Sequence, residues 1–204
     1  NMSISGETID YGPCAFMDEY NPQTVFSSID QKGRYAFLNQ PKIIKWNLAR
    51  FAECIITLID IDKDKAIEIA TETINTFEGI YEKKWLNMMR DKLGLFGEDP
   101  NDQALIMDLL NWMNNNKADY TNTFCFLMDE KFSINEIYND KNFFIWREKW
   151  ESRLKLNNNN KEKFLKLMRS VNPLVIPRNH KVEEALEAAN KNDITKMNNL
   201  IKIL

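Results

Sequence analysis

The sequence predicts a mainly α-helical chain whose first forty residues form a short β-hairpin and loops. Two observations lead to this prediction. Glycine and proline turn signals and short β-prone runs are concentrated in residues 1–40. After Pro41, apolar residues recur every three or four positions, the spacing of one face of an α-helix. We therefore expect a hairpin and loop segment over residues 1–40 and a continuous helical body over residues 41–204.

The first predicted helix starts at Pro41, because proline suits the first position of a helix. A second, long helix is predicted to start near Asp62 or Asp64 and to run to Leu93, with Gly94 as its stop. Its expected apolar face consists of Ile67, Ile74, Phe77, Tyr81, Trp85, Met88 and Met89.

Later helices are predicted from capping patterns. Asp99 and Pro100 have the form of an N-cap followed by a first helical residue. Ser133–Glu136 has the form of a capping box, and an aromatic-rich helix through Trp150 follows it. The polar run 157–160 is expected to be a loop. Three short helices are predicted at 161–171, 178–190 and 193–203, and the predicted core tryptophans are Trp85, Trp112, Trp146 and Trp150.

Composition excludes several classes of function. The chain has 27 Lys+Arg against 30 Asp+Glu and a pI of about 5.4. This balance argues against sequence-independent binding to nucleic acid or to an anionic membrane. The longest apolar run, at 54–59, is too short to span a bilayer. The three widely spaced cysteines favour reduced thiols in the cytoplasm, and a lone histidine offers little for a zinc site or a local catalytic triad.

The candidate site lies at the start of the chain. If Ser5-Gly6 is a two-residue turn, antiparallel pairing places Asn1 beside Asp10. An amide oxygen and a carboxylate are hard ligands that suit Mg²⁺, and protein kinases hold their metals with such a pair. The alternative is that Asp10, before Tyr-Gly-Pro, only forms a turn and that Asn1 is a frayed end.

Four other residues have simpler interpretations. Cys14 is expected to be a small buried thiol rather than a redox switch, since no flanking cation would lower its pKa. His180 is expected to pack or hydrogen-bond at a helix start rather than to catalyse. Arg34 and Arg50 could reach a phosphate or an acidic substrate, but we favour structural ion pairs, with Asp18, Glu19 or Asp30 as the partners.

Several sequence blocks, in order along the chain, resemble the selenoprotein O family, called YdiU in bacteria. The first is Asn-Met-Ser-Ile-x-Gly-x-Thr-Ile-Asp-Tyr-Gly-Pro over residues 1–13, continuing through 16–20. The resemblance extends from residue 1 to about residue 190. The further blocks are Gly33-Arg34-Tyr35-Ala36-Phe37-x-Asn39-Gln40-Pro41, Trp46-Asn47-Leu48-Ala49-Arg50, Asp119-Tyr120-Thr121-x-Thr123-Phe124, Ser170-Val171-Asn172-Pro173 and Arg178-Asn179-His180.

The resemblance implies a protein-kinase-like fold with the outcome of a nucleotidyltransferase. Members of the family bind ATP in an orientation flipped relative to ordinary kinases and transfer AMP to hydroxyl groups of proteins. By the resemblance, Asn1 and Asp10 are ligands of Mg²⁺, or of Mn²⁺ in its place, and Asp10 also reaches the nucleotide phosphates through the metal. The general base of the family is an Asp directly before this Asn, a position that the present sequence does not include.

The resemblance also implies that residues 1–204 are the helical C-lobe portion of the catalytic domain. The nucleotide-binding lobe, with its glycine loop and phosphate-pairing Lys, cannot be assigned here, so the chain alone is expected to be inactive and that lobe is an expected partner. Nor is the redox-active tail of some members evident. Two rival interpretations stay open: a kinase-like enzyme that transfers a phosphoryl group, and a helical interaction module without chemistry.

Overall fold

The computed structural model describes residues 15–132, 136–156 and 160–204, which are mainly helical. These residues form two compact units: Pro22–Leu86 is one, and Ala15–Asn21 together with Asn87–Leu204 is the other. The predicted hairpin lies outside the described residues. The predicted division at residue 40 stays a prediction, because much of its first segment lies outside them too.

The described unit Pro22–Leu86 contains turns, two α-helices and most of a third. A 3₁₀ turn at Phe37–Asn39 leads into α1 (Gln40–Cys54), which starts one residue before the predicted start at Pro41 and has that proline in its first turn. The short helix α2 (Ile56–Ile59) follows. Helix α3 (Lys63–Lys92) starts in this unit and ends in the other.

The end of α3 confirms the role predicted for Gly94. The residue has a positive φ of 70°, a conformation that glycine adopts without the steric cost of a side chain. A Cβ atom built at this position would lie 3.0 Å from Cβ of Phe164 and 3.0 Å from Cγ of Met168. Gly94 therefore allows both the turn and the close packing of a later helix.

The predicted apolar face of α3 is correct only in part. Ala66 and Ala70 are buried near its start, and Met89 is 1% exposed near its end. Ile67 and Met88, which the prediction placed on this face, are each 46% exposed. Each of them is next in sequence to a buried residue of α3. Successive residues of a helix are turned by about 100° around its axis, so these two side chains lie outside the buried face.

Helices α4 to α9 belong to the second unit, and all of them except α5 agree with predicted helices in most of their bounds. Helix α5 was not predicted. The described helices of this unit are α4 (Asp102–Asn116), α5 (Tyr120–Met128), α6 (Lys141–Lys155), α7 (Lys161–Val171), α8 (Asn179–Ala189) and α9 (Thr195–Ile203), with 3₁₀ turns at Glu130–Phe132 and Glu136–Asn139.

One predicted helix start is wrong, and another lies outside the described residues. Helix α4 begins at Asp102, with Asn101 at the N-cap position, so Asp99 and Pro100 precede the helix instead of opening it. The Asp99 carboxylate accepts the backbone N–H of Asn101 in a turn. Helix α6 is capped by Asp140, whose carboxylate accepts the N–H groups of the next turn; Ser133, the predicted cap, lies outside the described residues.

The core of the second unit is built around three tryptophans, as predicted. Trp112, Trp146 and Trp150 are at most 5% exposed, whereas Trp85 of α3 is only partly buried. Each buried indole N–H has an acceptor, which removes the cost of burying a polar group. The bonds run from Trp112 to the Asp140 carboxylate at 2.8 Å, from Trp146 to Leu105 O at 2.8 Å and from Trp150 to Leu93 O at 2.9 Å.

A buried ion cluster joins the end of α3 to α4 and α6. Asp102 is fully buried and accepts from Arg90 Nε at 2.7 Å and from Arg153 Nε at 2.6 Å. The backbone N–H of Asp99 donates to the same carboxylate at 3.0 Å. Burial alone would raise the pKa of Asp102, but the two guanidinium groups and the Asp99 amide lower it overall.

Candidate functional site

The predicted metal ligands, Asn1 and Asp10, lie outside the described residues, as does Cys14. The description begins at Ala15, five positions after Asp10. The described segment that follows these residues along the chain is Ala15–Asn21.

This segment is fixed to the start of α5 by backbone hydrogen bonds. The N–H of Tyr20 donates to Ala118 O at 2.9 Å, and the N–H of Tyr120 donates to Asp18 O at 2.8 Å. These bonds flank an isolated antiparallel bridge between Glu19 and Asp119. The backbone a few residues after Asp10 thus has a defined place in the second unit.

Arg178 holds the same segment through its side chain. Its Nη1 donates to Asp18 Oδ1 at 2.5 Å and to Asp119 Oδ2 at 2.6 Å. Its Nη2 donates to Asp119 Oδ1 at 3.3 Å and to Asn122 Oδ1 at 3.1 Å. Hydrogen bonds to Asp119, opposed by partial burial and joined by those to Asp18, raise the pKa of Arg178. A guanidinium with two carboxylates is a strong, directional link.

Asp119 has a second role as the N-cap of α5. Its Oδ1 accepts the backbone N–H of Asn122 at 2.7 Å, which satisfies a donor that the first turn leaves free. A carboxylate at this end of the helix also interacts favourably with the helix dipole. The helix start and the Arg178 link therefore depend on one side chain.

Residues at the start of α8 complete the attachment. The amide of Asn179 accepts from the N–H of Phe16 at 3.3 Å and donates to Phe16 O at 3.2 Å. The neighbouring His180 lies in the first turn of α8, as predicted, but it is exposed, so of its two predicted roles packing is wrong and hydrogen bonding stays a prediction. Phe16 is held by backbone contacts that do not depend on its side chain.

An aromatic layer lies next to this attachment. The rings of Tyr20 and Tyr120 stack with centroids 5.8 Å apart. The ammonium group of Lys92 lies 4.3 Å from the ring centroid of Phe124 and 5.3 Å from that of Tyr120. Lys92 is only 9% exposed, and no carboxylate among the described residues is ion-paired with it. Burial lowers the pKa of Lys92 to about 8.

Asn172 connects Lys92 to the last part of the chain. Asn172 is 3% exposed, and its Nδ2 donates to Lys92 O at 2.9 Å. Its Oδ1 is buried without a hydrogen-bond partner in the described part of the chain. The thiol of Cys125 points to Pro173 O at 3.5 Å, and burial raises its pKa, so Cys125 is an inert core residue.

Sequence blocks that are far apart thus meet in one place. Residues 16–20, 119–124 and 178–179 contact one another through the bonds described above, and residues 172–173 bond to Lys92 and to Cys125, the residue after the second block. Sequence reasoning singled out these blocks but assigned no role to Arg178 or Asp119, and it did not single out Lys92. The available signal was Asp119 itself, because Asp is a preferred residue at a helix N-cap.

The described residues do not themselves form a metal centre. No group of three or more His, Cys, Asp and Glu side chains in the ranges 15–132, 136–156 and 160–204 could hold a metal ion. The carboxylates of Asp18 and Asp119 are both bonded to Arg178. The oxygen donors of Asn1 and Asp10 have the chemistry that Mg²⁺ prefers, so these residues fit the expected ion by donor type.

Among the described residues, neither Arg34 nor Arg50 forms an ion pair with Asp18, Glu19 or Asp30, the predicted partners, although Arg50 does form a structural ion pair with another residue. The Asp30 carboxylate accepts the backbone N–H groups of Arg34 at 2.8 Å and of the next residue at 2.7 Å. Arg50 pairs with Glu53 at 2.5 Å. The guanidinium of Arg34 lies over the ring of Trp46, 4.7 Å from its centroid.

No helix in the described part of the chain has both the length and the apolar composition needed to cross a membrane. The thiols of Cys54 and Cys125 are free.

Comparisons with known proteins agree with one another. A family model described as "Protein adenylyltransferase SelO" matches residues 1–204. The chain is 64% identical over 204 residues to a protein named "Protein nucleotidyltransferase YdiU" from Pelagibacter ubique. Proteins of the same name from Nitrosococcus oceani and Clostridium beijerinckii are 52% and 51% identical. Each match covers 100% of this chain and 42% of the relative, so the chain spans about two fifths of the length of these relatives.

Proposed function

The chain belongs to the SelO family, and from this membership we propose that the full-length protein containing it transfers AMP from ATP to hydroxyl groups of other proteins. In this reaction a Ser, Thr or Tyr hydroxyl oxygen forms a bond to the α-phosphorus of ATP, the hydroxyl proton passes to a base, and the bond to pyrophosphate breaks. The observation that carries the proposal is the family match over the whole chain, supported by relatives at 50–64% identity.

On this proposal, Asn1 and Asp10 would hold the metal ion through their side-chain oxygens, and Asp10 would reach the nucleotide phosphates through that ion. A bound Mg²⁺ would neutralise charge on those phosphates. The cytoplasm is the proposed location, since reduced thiols persist there.

The described residues contribute positioning rather than contact with the nucleotide. Arg178 binds Asp18, eight positions after Asp10, and two backbone bonds fix the same segment to α5. We therefore assign Arg178 as a positioning residue that restrains the chain following Asp10. A restraint on this part of the chain would reduce the conformational entropy that is lost when the Asp10 side chain binds a metal ion.

Transfer of labelled phosphate tests the proposal directly. Full-length protein, as wild type and as Asp10→Ala, is incubated with a protein acceptor and with ATP labelled on the α-phosphate or on the γ-phosphate. We expect α-label on protein with the wild type and none with Asp10→Ala. γ-Label on protein would identify a kinase instead, and no transfer of either label would favour an interaction module.

A matched substitution separates a metal ligand from a turn former. Asp64→Ala removes an exposed carboxylate from the first turn of α3 and is expected to leave transfer unchanged. Asp10→Ala is expected to abolish transfer while the melting temperature of the metal-free protein stays nearly constant. Preserved transfer with a large loss of stability would show that Asp10 forms a turn and not a metal site.

A further inference from the structure

One stretch of the chain has a charge opposite to that of the whole. Residues 31–52 contain no Asp or Glu, although the full chain has a net charge of −3. The cations in this stretch are Lys32, Arg34, Lys42, Lys45 and Arg50. Such a local excess of positive charge attracts anionic groups over about 8–10 Å at moderate salt.

Helix α1 arranges part of this charge on one exposed face. Lys42, Trp46 and Arg50 are four positions apart, so they follow one another along the same side of the helix, and all three are exposed. Lys45 lies off this line and pairs with Glu78 at 3.4 Å. Lys42, Trp46 and Arg50, together with Arg34 and Tyr35, are referred to here as the cationic face.

Trp46 lies at the centre of the cationic face. Its side chain is 48% exposed, and the guanidinium groups of Arg34 and Arg50 lie 4.7 Å and 5.5 Å from its ring centroid. Tyr35 is 49% exposed and lies 5.9 Å from the Arg34 guanidinium. Leaving a large indole half in water forgoes part of its burial energy, and exposed aromatic and Arg side chains are enriched in protein interfaces.

Arg34 is arranged to bind a carboxylate. Its guanidinium has no ion-pair partner among the described residues, because the nearby Asp30 carboxylate is bonded to backbone N–H groups. The guanidinium carbon lies over the Trp46 ring, and a guanidinium can contact a ring face while its N–H groups bond a carboxylate in bidentate fashion. Arg50, by contrast, forms an ion pair with Glu53.

From these observations we propose that the cationic face binds an acidic segment of another protein, rich in Asp and Glu. Carboxylates of that segment bond to Arg34, Lys42 and Arg50, and its aliphatic stems pack on Trp46. The occupant is assigned from charge complementarity, since the face presents cations and aromatic rings without a carboxylate between residues 31 and 52. This proposal does not depend on the transfer reaction.

The test measures binding of a short fluorescein-labelled oligo-glutamate peptide by fluorescence anisotropy. The full-length protein is used, without nucleotide, as wild type and as the variants Arg34→Gln, Trp46→Ala and Trp46→Phe. We expect Arg34→Gln and Trp46→Ala each to weaken binding by about tenfold, the loss of one well-placed charge-assisted contact or its support. Trp46→Phe should retain most of the affinity, and added NaCl should weaken wild-type binding.

The matched control is Arg169→Gln, because Arg169 is an exposed arginine of α7 outside the cationic face. It changes the net charge by the same amount and should leave the affinity unchanged. A loss equal to that of Arg34→Gln would show a general charge effect and overturn the proposal. The proposal would also be overturned if the wild type bound an oligo-glutamine peptide equally well, or if it did not bind oligo-glutamate. Displacement of the oligo-glutamate peptide by inorganic phosphate at the same concentration of negative charge would overturn it too.

Discussion

The guanidinium of Arg178 bonds to the carboxylate of Asp18, which lies 160 positions earlier in the chain. This one contact joins the start of α8 to the segment that follows the proposed metal ligand Asp10. Asp119 completes the link from α5. The two contacts together restrain the segment Ala15–Asn21 within the second unit.

Arg178→Gln is expected to loosen the segment Ala15–Asn21. The substitution leaves the carboxylates of Asp18 and Asp119 without their guanidinium, so we expect the free energy of unfolding to fall by about 2–3 kcal/mol. Amide hydrogen exchange at Tyr20 and Tyr120 should become faster, because their N–H groups bond across this junction. Arg169→Gln serves as the control and should change stability by less than about 0.5 kcal/mol. Equal effects of the two substitutions would contradict a special role for Arg178.

Asp102→Asn is expected to cost about 3–5 kcal/mol of stability at neutral pH, because it leaves Arg90 and Arg153 buried without a counter-charge. The control Asp108→Asn breaks an exposed pair with Lys149 and should cost less than about 1 kcal/mol. Urea denaturation measures both.

The effect of Asp102 should also depend on pH. The folded protein lowers the pKa of Asp102 below its ordinary value of 3.8. Its stabilisation is therefore complete above that value and is lost as the pH falls through the lower folded pKa. The difference between wild type and Asp102→Asn should narrow in acid. A difference that stays constant down to the acid transition would rule out the charged form as its origin.

Lys92→Met is expected to stabilise the protein at pH 7. Burial lowers the pKa of Lys92 from 10.5 to about 8, so keeping it charged below pH 8 costs free energy that the ring contacts only partly offset. We expect a gain of about 1–2 kcal/mol. Between pH 8 and pH 10.5 the unfolded state binds the extra proton, so the wild type gains stability and the advantage of Lys92→Met shrinks.

Thermal unfolding of Lys92→Met across this pH range, beside Lys83→Met, measures the effect. Lys83 is exposed on the same helix, so Lys83→Met should change stability by less than about 0.5 kcal/mol. A loss of stability in Lys92→Met at pH 7 would mean that the contacts with Phe124 and Tyr120 outweigh the cost of burial.

Replacing Gly94 and Gly79 with alanine should change the free energy of unfolding in opposite directions. Gly94→Ala introduces a Cβ at a positive φ and at 3.0 Å from Phe164 and Met168, so we expect a loss of about 1–3 kcal/mol. Gly79 lies inside α3 with open space around its Cα, so Gly79→Ala should add about 0.5–1 kcal/mol. Chemical denaturation checks both, and a neutral Gly94→Ala would show that α7 can move away.

Local patterns predicted much of the helical body. Pro41 lies at the start of α1 and Gly94 lies just after the end of α3. These two positions could be predicted because proline and glycine act through their own backbone conformation. Helix α5 escaped prediction, since Thr121 and Thr123 are β-branched and weaken a helical pattern. Its stability comes from the Asp119 cap and from burial of Phe124, and only the first of these leaves a local trace.

The junction around Arg178 could not be predicted from the sequence. Its partners lie 59 and 160 positions away, and nothing local distinguishes Arg178 from an exposed arginine. Burial of Lys92 was equally hidden, since a lysine near a helix end normally reaches solvent. The predicted metal pair was derived from a turn and a resemblance, and it stays a prediction.

The three buried tryptophans give the second unit an intrinsic optical signal. Trp112, Trp146 and Trp150 each have a fixed hydrogen bond and almost no contact with solvent, so their emission should be blue-shifted and protected from acrylamide in the folded state. Trp46, half exposed, should be quenched readily. Unlabelled protein can therefore report loosening of its helical core separately from events at the cationic face.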